Sequence, residues 1–383
     1  MASAAAAALK LPNLSSLSSG GSERRDLDLT TSVSPSWRRR PPPTTVAMSA
    51  VPTSDGAPRI NGHPHVNGHA HGPALITRVA FQGAPGAYSE FAAKTAIPGC
   101  ATVPCRTFSD AISAVQAGRA DRAILPVEST MEGTALRNYD LLLRHDLLIS
   151  QEVNLFVHYC LLAMPGVRPA ELRRVISHPM ALAHCGRALG QLGIHRREPV
   201  EDTAGAVEML RSHRLLDTAA IASPRAALLY GLDVLADGLQ DESWNVTRFL
   251  LLSPRSSAPT SAFLAMAAVP QPTNPKTSMV IAHRGGSMVV LLKVLSAFSR
   301  RNINLTKLEV INSSAAENKT PVMILDVRGK SSLRAFPHVL YVDFEGSTND
   351  PRAKEAIEEI SQFSVFVRIL GCYAADPNIY DLH

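Results

Sequence analysis

From residue 78 onward, two hydrophobic textures alternate along the chain. Short apolar runs at 78–81, 122–127, 147–153, 175–177, 218–222 and 247–252 read as strands. Between them, apolar residues recur at helical spacing over 88–96, 108–117, 136–145, 181–192, 204–211 and 224–230. Phe108, Ile112 and Val115 share one helical face and read as core anchors. Strand–helix alternation of this kind predicts a mostly parallel sheet with helices on both faces. Five prolines among Ser, Thr and Ala between 253 and 275 then break the pattern, which is a linker signature. A second unit follows, with strands predicted at 278–282, 304–311, 322–327, 339–344 and 365–370. Helices are predicted at 289–299 and at 351–362, the latter opening on Pro351, whose missing N–H costs nothing there. The order is βαββαβ with one extra strand-like piece, the size of a small regulatory module.

Composition narrows the class. The 383 residues are 45% hydrophobic, enough for two or three domains with real cores. No apolar run approaches the roughly 18–20 residues of a membrane span. The net charge of +5 is unevenly placed: residues 1–72 carry seven basic and four acidic side chains, so the other 311 carry only +2. With the body near neutral, the charge argues against a nucleic-acid partner. The head has no acidic residue before position 23, ten serines in its first 50 positions, and a closing Arg38-Arg39-Arg40-Pro41-Pro42-Pro43. That composition fits a transit peptide to the chloroplast, here the plastid stroma, better than a secretory signal. His63, His65, His69 and His71 read as a solvated linker, since no Cys or carboxylate pattern completes a metal site. Five scattered cysteines without a C-x-x-C read as free thiols.

Four segments could carry chemistry. Gly83-Ala84-Pro85-Gly86-Ala87-Tyr88-Ser89 joins a strand to a helix, and free N–H groups there suit a carboxylate; an ordinary turn explains it as well. It lacks the Lys of a phosphate loop and the third Gly of a dinucleotide loop. Ser129 and Thr130 follow an apolar strand, where ligands of open α/β sheets sit, although helix capping is an equal reading. Asp202 or Thr203 could simply cap a helix. Asn245-Val246-Thr247-Arg248-Phe249 combines a hydroxyl that can pass a proton with a fixed cation for a carboxylate. Nothing in these segments asks for a metal or redox cofactor.

Together these segments resemble the prephenate dehydratase and plant arogenate dehydratase family. The resemblance rests on FQGAPGAYSE at 81–90, LPVES at 125–129, RNYDLLLRHDL at 137–147, SHPMALAHC at 177–185, DTAGA at 202–206 and NVTRF at 245–249. It continues into an ACT domain through NINLTKLE at 302–309 and YVDFEGSTNDPRA at 341–353. It implies an α/β fold: a two-lobed, periplasmic-binding-protein-like catalytic domain plus an α+β ACT domain of ferredoxin-like βαββαβ order. The implied domains are a transit peptide and linker at 1–74 and a catalytic domain at 75–253. Its first lobe takes 75–153 with 240–253, and its second takes 154–239. A linker at 254–275, an ACT regulatory domain at 276–373 and a tail at 374–383 follow.

The implied reaction is the decarboxylating dehydration of arogenate to L-phenylalanine, or of prephenate to phenylpyruvate, in phenylalanine biosynthesis, without a cofactor. Loss of hydroxyl and CO2 aromatises the ring, so the enzyme must hold carboxylates, protonate a leaving hydroxyl and exclude water. By the resemblance, Thr247, Thr130 and Thr203 are catalytic. Ser89, Ser129, Asn138, Arg248 and Phe249 bind substrate. A phenylalanine effector would meet Gly286, Ser287, Met288 and Glu309, and a homo-oligomer is implied. The chain departs from the family at Ser129-Thr130-Met131-Glu132, where Glu-Asn-Ser-x-x-Gly is usual up to Gly133, at Met180 and His184, where Gln is common, and at Val310-Ile311-Asn312. Those departures motivate a rival expectation, a weakened relative that senses amino acids or binds a partner.

Overall fold

The computed structural model describes residues 76–255, 274–283, 288–312, 320–327 and 331–376. The predicted transit segment, most of the proline-rich linker, and Gly286 and Ser287 lie outside them.

The first lobe runs β1 (Arg78–Gln82), α1 (Tyr88–Ala96), β2 (Ala101–Cys105), α2 (Phe108–Gln116), β3 (Arg122–Ser129), β4 (Gly133–Thr134), α3 (Leu136–Arg144) and β5 (Leu147–Phe156). The chain then crosses into a second lobe: β6 (Cys160–Ala163), β7 (Arg174–Ser177), α4 (Pro179–His184), α5 (Gly186–Gln191), β8 (Arg196–Pro199), α6 (Thr203–Ser212), β9 (Thr218–Ala222), α7 (Pro224–Tyr230) and β10 (Asp233–Ala236). It returns as β11 (Val246–Pro254), inserted between β3 and β5 of the first sheet.

The expected mostly parallel sheet is therefore two mixed sheets. In the first, ordered β2-β1-β3-β11-β5, β1 pairs in parallel with β2 and β3, but β11 is antiparallel to both neighbours. The second, ordered β10-β6-β9-β7-β8, is parallel only at β7. The reason is the double crossing, since a strand returning from the other lobe enters against the direction of those already there. The helix expected over 181–192 is likewise two short ones. The Asp241 carboxylate accepts hydrogen bonds from Arg187 N (2.9 Å) and Ala188 N (3.2 Å), and so starts α5 afresh after Cys185.

Local chemistry supports the remaining helices. Thr107 and Asp110 form a reciprocal capping box on α2. Ser223 caps α7, which has Pro224 at its first position and ends on Gly231 in the left-handed conformation (φ 63°).

The C-terminal unit is β12 (Pro275–His283), α8 (Met288–Ser299), β13 (Leu305–Asn312), β14 (Val322–Asp326), β15 (Ser332–Phe336), β16 (His338–Glu345), α9 (Pro351–Phe363) and β17 (Phe366–Ala374). Its antiparallel sheet has the order β13-β16-β12-β17, which is the ferredoxin-like arrangement. The single extra strand expected here is a pair, β14 and β15, forming their own hairpin. The sheet is covered on both faces. Met279, Ile281, Leu340 and Phe344 pack with α8 and α9. Val280, Tyr341, Leu370 and Tyr373 enter one core with Tyr139, Leu143, Leu147 and Ile149 of the first lobe. The approach is close enough that a Cβ at Gly371 would lie 2.2 Å from the Ile149 carbonyl oxygen.

Candidate active site

A cleft of about 450 Å³ opens between the two lobes. Gln82, Ser89, Arg106, Pro126, Thr247 and Phe249 come from the first lobe, and Tyr159, His178, Glu201, Asp202 and Thr203 from the second. The helices α1, α2 and α6 begin at its wall; Thr107 and Asp202 each cap one first-turn N–H of α2 and α6, and the other first-turn N–H groups have no intrahelical partner. Among the described residues Arg106 is the one guanidinium on the lining, paired loosely with Glu201 across the mouth (3.6 Å).

The glycine loop is built to sit between the lobes. Gly86 adopts φ 94°, and a Cβ there would lie 3.1 Å from the Ala226 backbone of α7. Its N–H donates to the Glu90 carboxylate (2.7 Å), and its carbonyl accepts from the Ser223 hydroxyl (2.8 Å). Burial alone would raise the pKa of Glu90. The Lys94 ammonium and the Gly86 and Thr102 donors outweigh it and hold the carboxyl below the usual range. Tyr88 donates to the His158 carbonyl (2.5 Å) and meets Tyr159 edge-on at 5.8 Å. Burial keeps both phenols un-ionised, well above the usual tyrosine range. It also lowers the pKa of His178, against the opposing charge of Asp202.

Strand alternation sorts the residues of the Asn245–Phe249 segment. Thr247 and Phe249, two apart on β11, both line the cleft. Among the described residues the Thr247 side chain makes no hydrogen bond, which leaves its hydroxyl for a ligand. Phe249 is 3% exposed and forms the apolar floor.

Arg248 points the other way and does not line this cleft. Its guanidinium donates to Glu152 (2.9 Å), Glu128 (3.0 Å), Asp343 (2.7 Å) and the Tyr373 hydroxyl (2.9 Å), joining the first lobe to the C-terminal sheet. Lys276 adds a bond to Glu152 (2.7 Å) and Lys307 one to Glu128 (2.7 Å). Burial would lower the pKa of Arg248, but Asp343 and its other partners raise it well above the ordinary value, so the cation is secure.

Ser129, Thr130 and Asn138 also stand away from the cleft lining. Val246 N donates to the Thr130 hydroxyl (2.9 Å), which itself donates to the Trp244 carbonyl (2.9 Å). Ser129 donates to Asn245 Oδ1 (3.4 Å). The pair thus clamps the start of β11 to the end of β3. Asn138 donates to the Pro126 carbonyl (2.7 Å) and steadies a lining residue from behind. Of the expected site, Ser89, Thr203, Thr247 and Phe249 share the cleft. In the C-terminal unit, Glu309 lies on the edge strand β13 and Met288 opens α8.

Sequence reasoning passed over Gln82, Arg106, Tyr159 and His178. His178 had a local signal, a polar residue before Pro179 at a helix start, and its Nδ1 accepts from Met180 N (3.3 Å). Two departures from the family pattern touch each other: Glu132 of the first lobe lies 2.8 Å from His184 of the second. Glu132 is thereby held by an imidazole.

Comparisons with known proteins bear on this geometry. A family model described as prephenate dehydratase matches residues 79–257. Arogenate dehydratase 1 of Petunia hybrida is 49% identical over 78% of this chain and 67% of its own. Arogenate dehydratase/prephenate dehydratase 6, chloroplastic, of Arabidopsis thaliana is 49% identical over 78% of this chain and 69% of its own. A solved prephenate dehydratase from Arthrobacter aurescens, in complex with L-Phe, superposes with TM-score 0.65 at 26% identity, covering 78% of this chain and 90% of that one. The chain belongs to the arogenate and prephenate dehydratase family.

Proposed function

We infer that the chain carries out the decarboxylating dehydration of arogenate to L-phenylalanine in phenylalanine biosynthesis, with prephenate as the ketone analogue giving phenylpyruvate. The observation that carries the reading is the uncommitted Thr247 hydroxyl in the interlobe cleft of a family member. Helix N-termini and Arg106 hold the substrate carboxylates, and Phe249 and Tyr159 supply an apolar bed for the ring. Thr247 stands as the hydroxyl that passes a proton to the departing ring oxygen, with Thr203 and Ser89 as its polar company. The C–O bond breaks to release water. The C–C bond to the ring carboxylate breaks to release CO2, and its electron pair completes the aromatic ring. Holding these groups in a cleft closed by two lobes excludes water and aligns both breaking bonds.

Residues 1–74 act as an import segment for the plastid stroma, in keeping with the chloroplastic names of relatives. The catalytic domain is taken as 75–253 and the ACT domain as 276–373. Phenylalanine acts as effector through Gly286, Ser287, Met288 and Glu309 in a homo-oligomer, a reading supported by the L-Phe complex of a relative. The full chain incubated separately with arogenate and prephenate tests the activity. Formation of phenylalanine and CO2 without added cofactor is expected, and inertness toward both substrates would overturn the reading.

A further inference from the structure

We propose that Asp202 receives the side-chain ammonium of arogenate and sets the preference for arogenate over prephenate; this rests on the dehydratase reading of the cleft. The two substrates share the ring, the hydroxyl and both carboxylates. They differ at one carbon, which bears an ammonium in one and a ketone in the other. The discriminating group must therefore be an anion or acceptor facing the cleft. Arg106 and the helix N-termini cannot discriminate, since they address the carboxylates common to both.

Among the described residues two carboxylates line the cleft, Glu201 and Asp202. The side chain of Glu201 is 78% exposed and already faces Arg106, and water and salt screen such a pair. Asp202 is half-buried, and only one of its oxygens is occupied. Oδ1 accepts the Gly205 N–H (2.7 Å) at the first turn of α6, while Oδ2 makes no hydrogen bond or ion pair among the described residues. The carboxylate also reaches the opposite lobe, since a Cβ on Gly83 would lie 3.6 Å from Asp202 Oδ1. It therefore lies where the two lobes meet, next in the chain to Thr203. His178 and Tyr230 are nearby titratable groups, and burial favours the neutral form of each, so neither brings a cation to the carboxylate.

The helix does not require this charge. Asn caps a helix start as well as Asp does. An ammonium against Oδ2 gains a charge-assisted hydrogen bond in a dry cleft, whereas a ketone in that place leaves the anion desolvated and unpaired. Sites built around such a bond reject the analogue that lacks the donor far more strongly than apolar pockets reject a changed methylene.

Asp202→Asn in the full chain keeps the cap and removes the charge. The wild type is expected to favour arogenate in kcat/KM. The variant should lower the arogenate-to-prephenate ratio of kcat/KM about 10–100-fold, while Glu201→Gln should move it less than about 3-fold. An equal fall on both substrates, an unchanged ratio, or a shift produced by Glu201→Gln instead would overturn the proposal. Asp202→Ser, a second uncharged cap, must reproduce the shift should Asp202→Asn fold poorly. A wild-type chain inert on both substrates would sink the dehydratase reading and this proposal together, whereas an active wild type with an unmoved ratio sinks only the proposal.

Discussion

Thr247 and Arg248 are chain neighbours on β11, yet they belong to opposite kinds of environment. On the cleft face, Thr247, Thr203 and Asp202 Oδ2 hold polar capacity that no described residue uses. On the other face, Arg248 has three carboxylates and a phenol, and each of Glu128 and Glu152 is shared with a lysine. Unspent hydrogen-bonding capacity in a concave, half-dry site is available to a ligand, whereas saturated capacity in a buried junction holds domains together. The difference separates chemistry from support more sharply than residue type does, since an arginine beside a threonine reads as a substrate anchor until its partners are seen.

The contrast can be broken experimentally. Thr247→Ala should lower kcat about 10²–10⁴-fold and leave the thermal midpoint unchanged. A variant that melts early with kcat preserved would make Thr247 a support residue. Arg248→Met should do the reverse, costing about 3–5 kcal/mol in urea unfolding, because the buried Glu152 and Asp343 and the half-buried Glu128 would lose their shared cation. Stability close to wild type would show that the lysines suffice.

The smallest expected effect is a pH slope. Burial would raise the pKa of Glu128, but the Lys307 hydrogen bond and the Arg248 charge outweigh it and hold the carboxyl below the usual range. A carboxyl depressed in the folded state stabilises above its unfolded pKa of about 4.3, and that contribution is lost as pH falls through the folded pKa. The urea midpoint should therefore fall on acidification through this window, and Glu128→Gln should flatten the slope. An identical slope in the variant would remove Glu128 from the acid response.

Much of the fold was legible because its signals are local. The helices α1 and α7 and the strand β9 follow from apolar spacing and, for α7, the Ser223 cap, all within a few residues. The strands β2, β6, β8 and β10 were not read. Three of them are exposed or mixed and carry no clear period, and the Cys160–Ala163 strand is four buried residues that could belong to any element. The same limit applies to the site. Thr247 stands out as a hydroxyl within its motif, but Ser129 and Thr130 could cap, bind or clamp, and only the return of β11 beside β3 makes them a clamp on 244–246.

By itself the sequence determined the residue chemistry, the family and the two-unit α/β plan, because each rests on short spacings and matched motifs. The tertiary structure decided which face each side chain serves. Strand alternation along β11 sets Thr247 and Phe249 toward the cleft and Arg248 toward the C-terminal sheet. Arg248 and Asp343 stand 95 residues apart in the chain, and Glu132 and His184 stand 52 apart. Such partners meet only after both lobes and both units have packed, so no local pattern can encode the pairing.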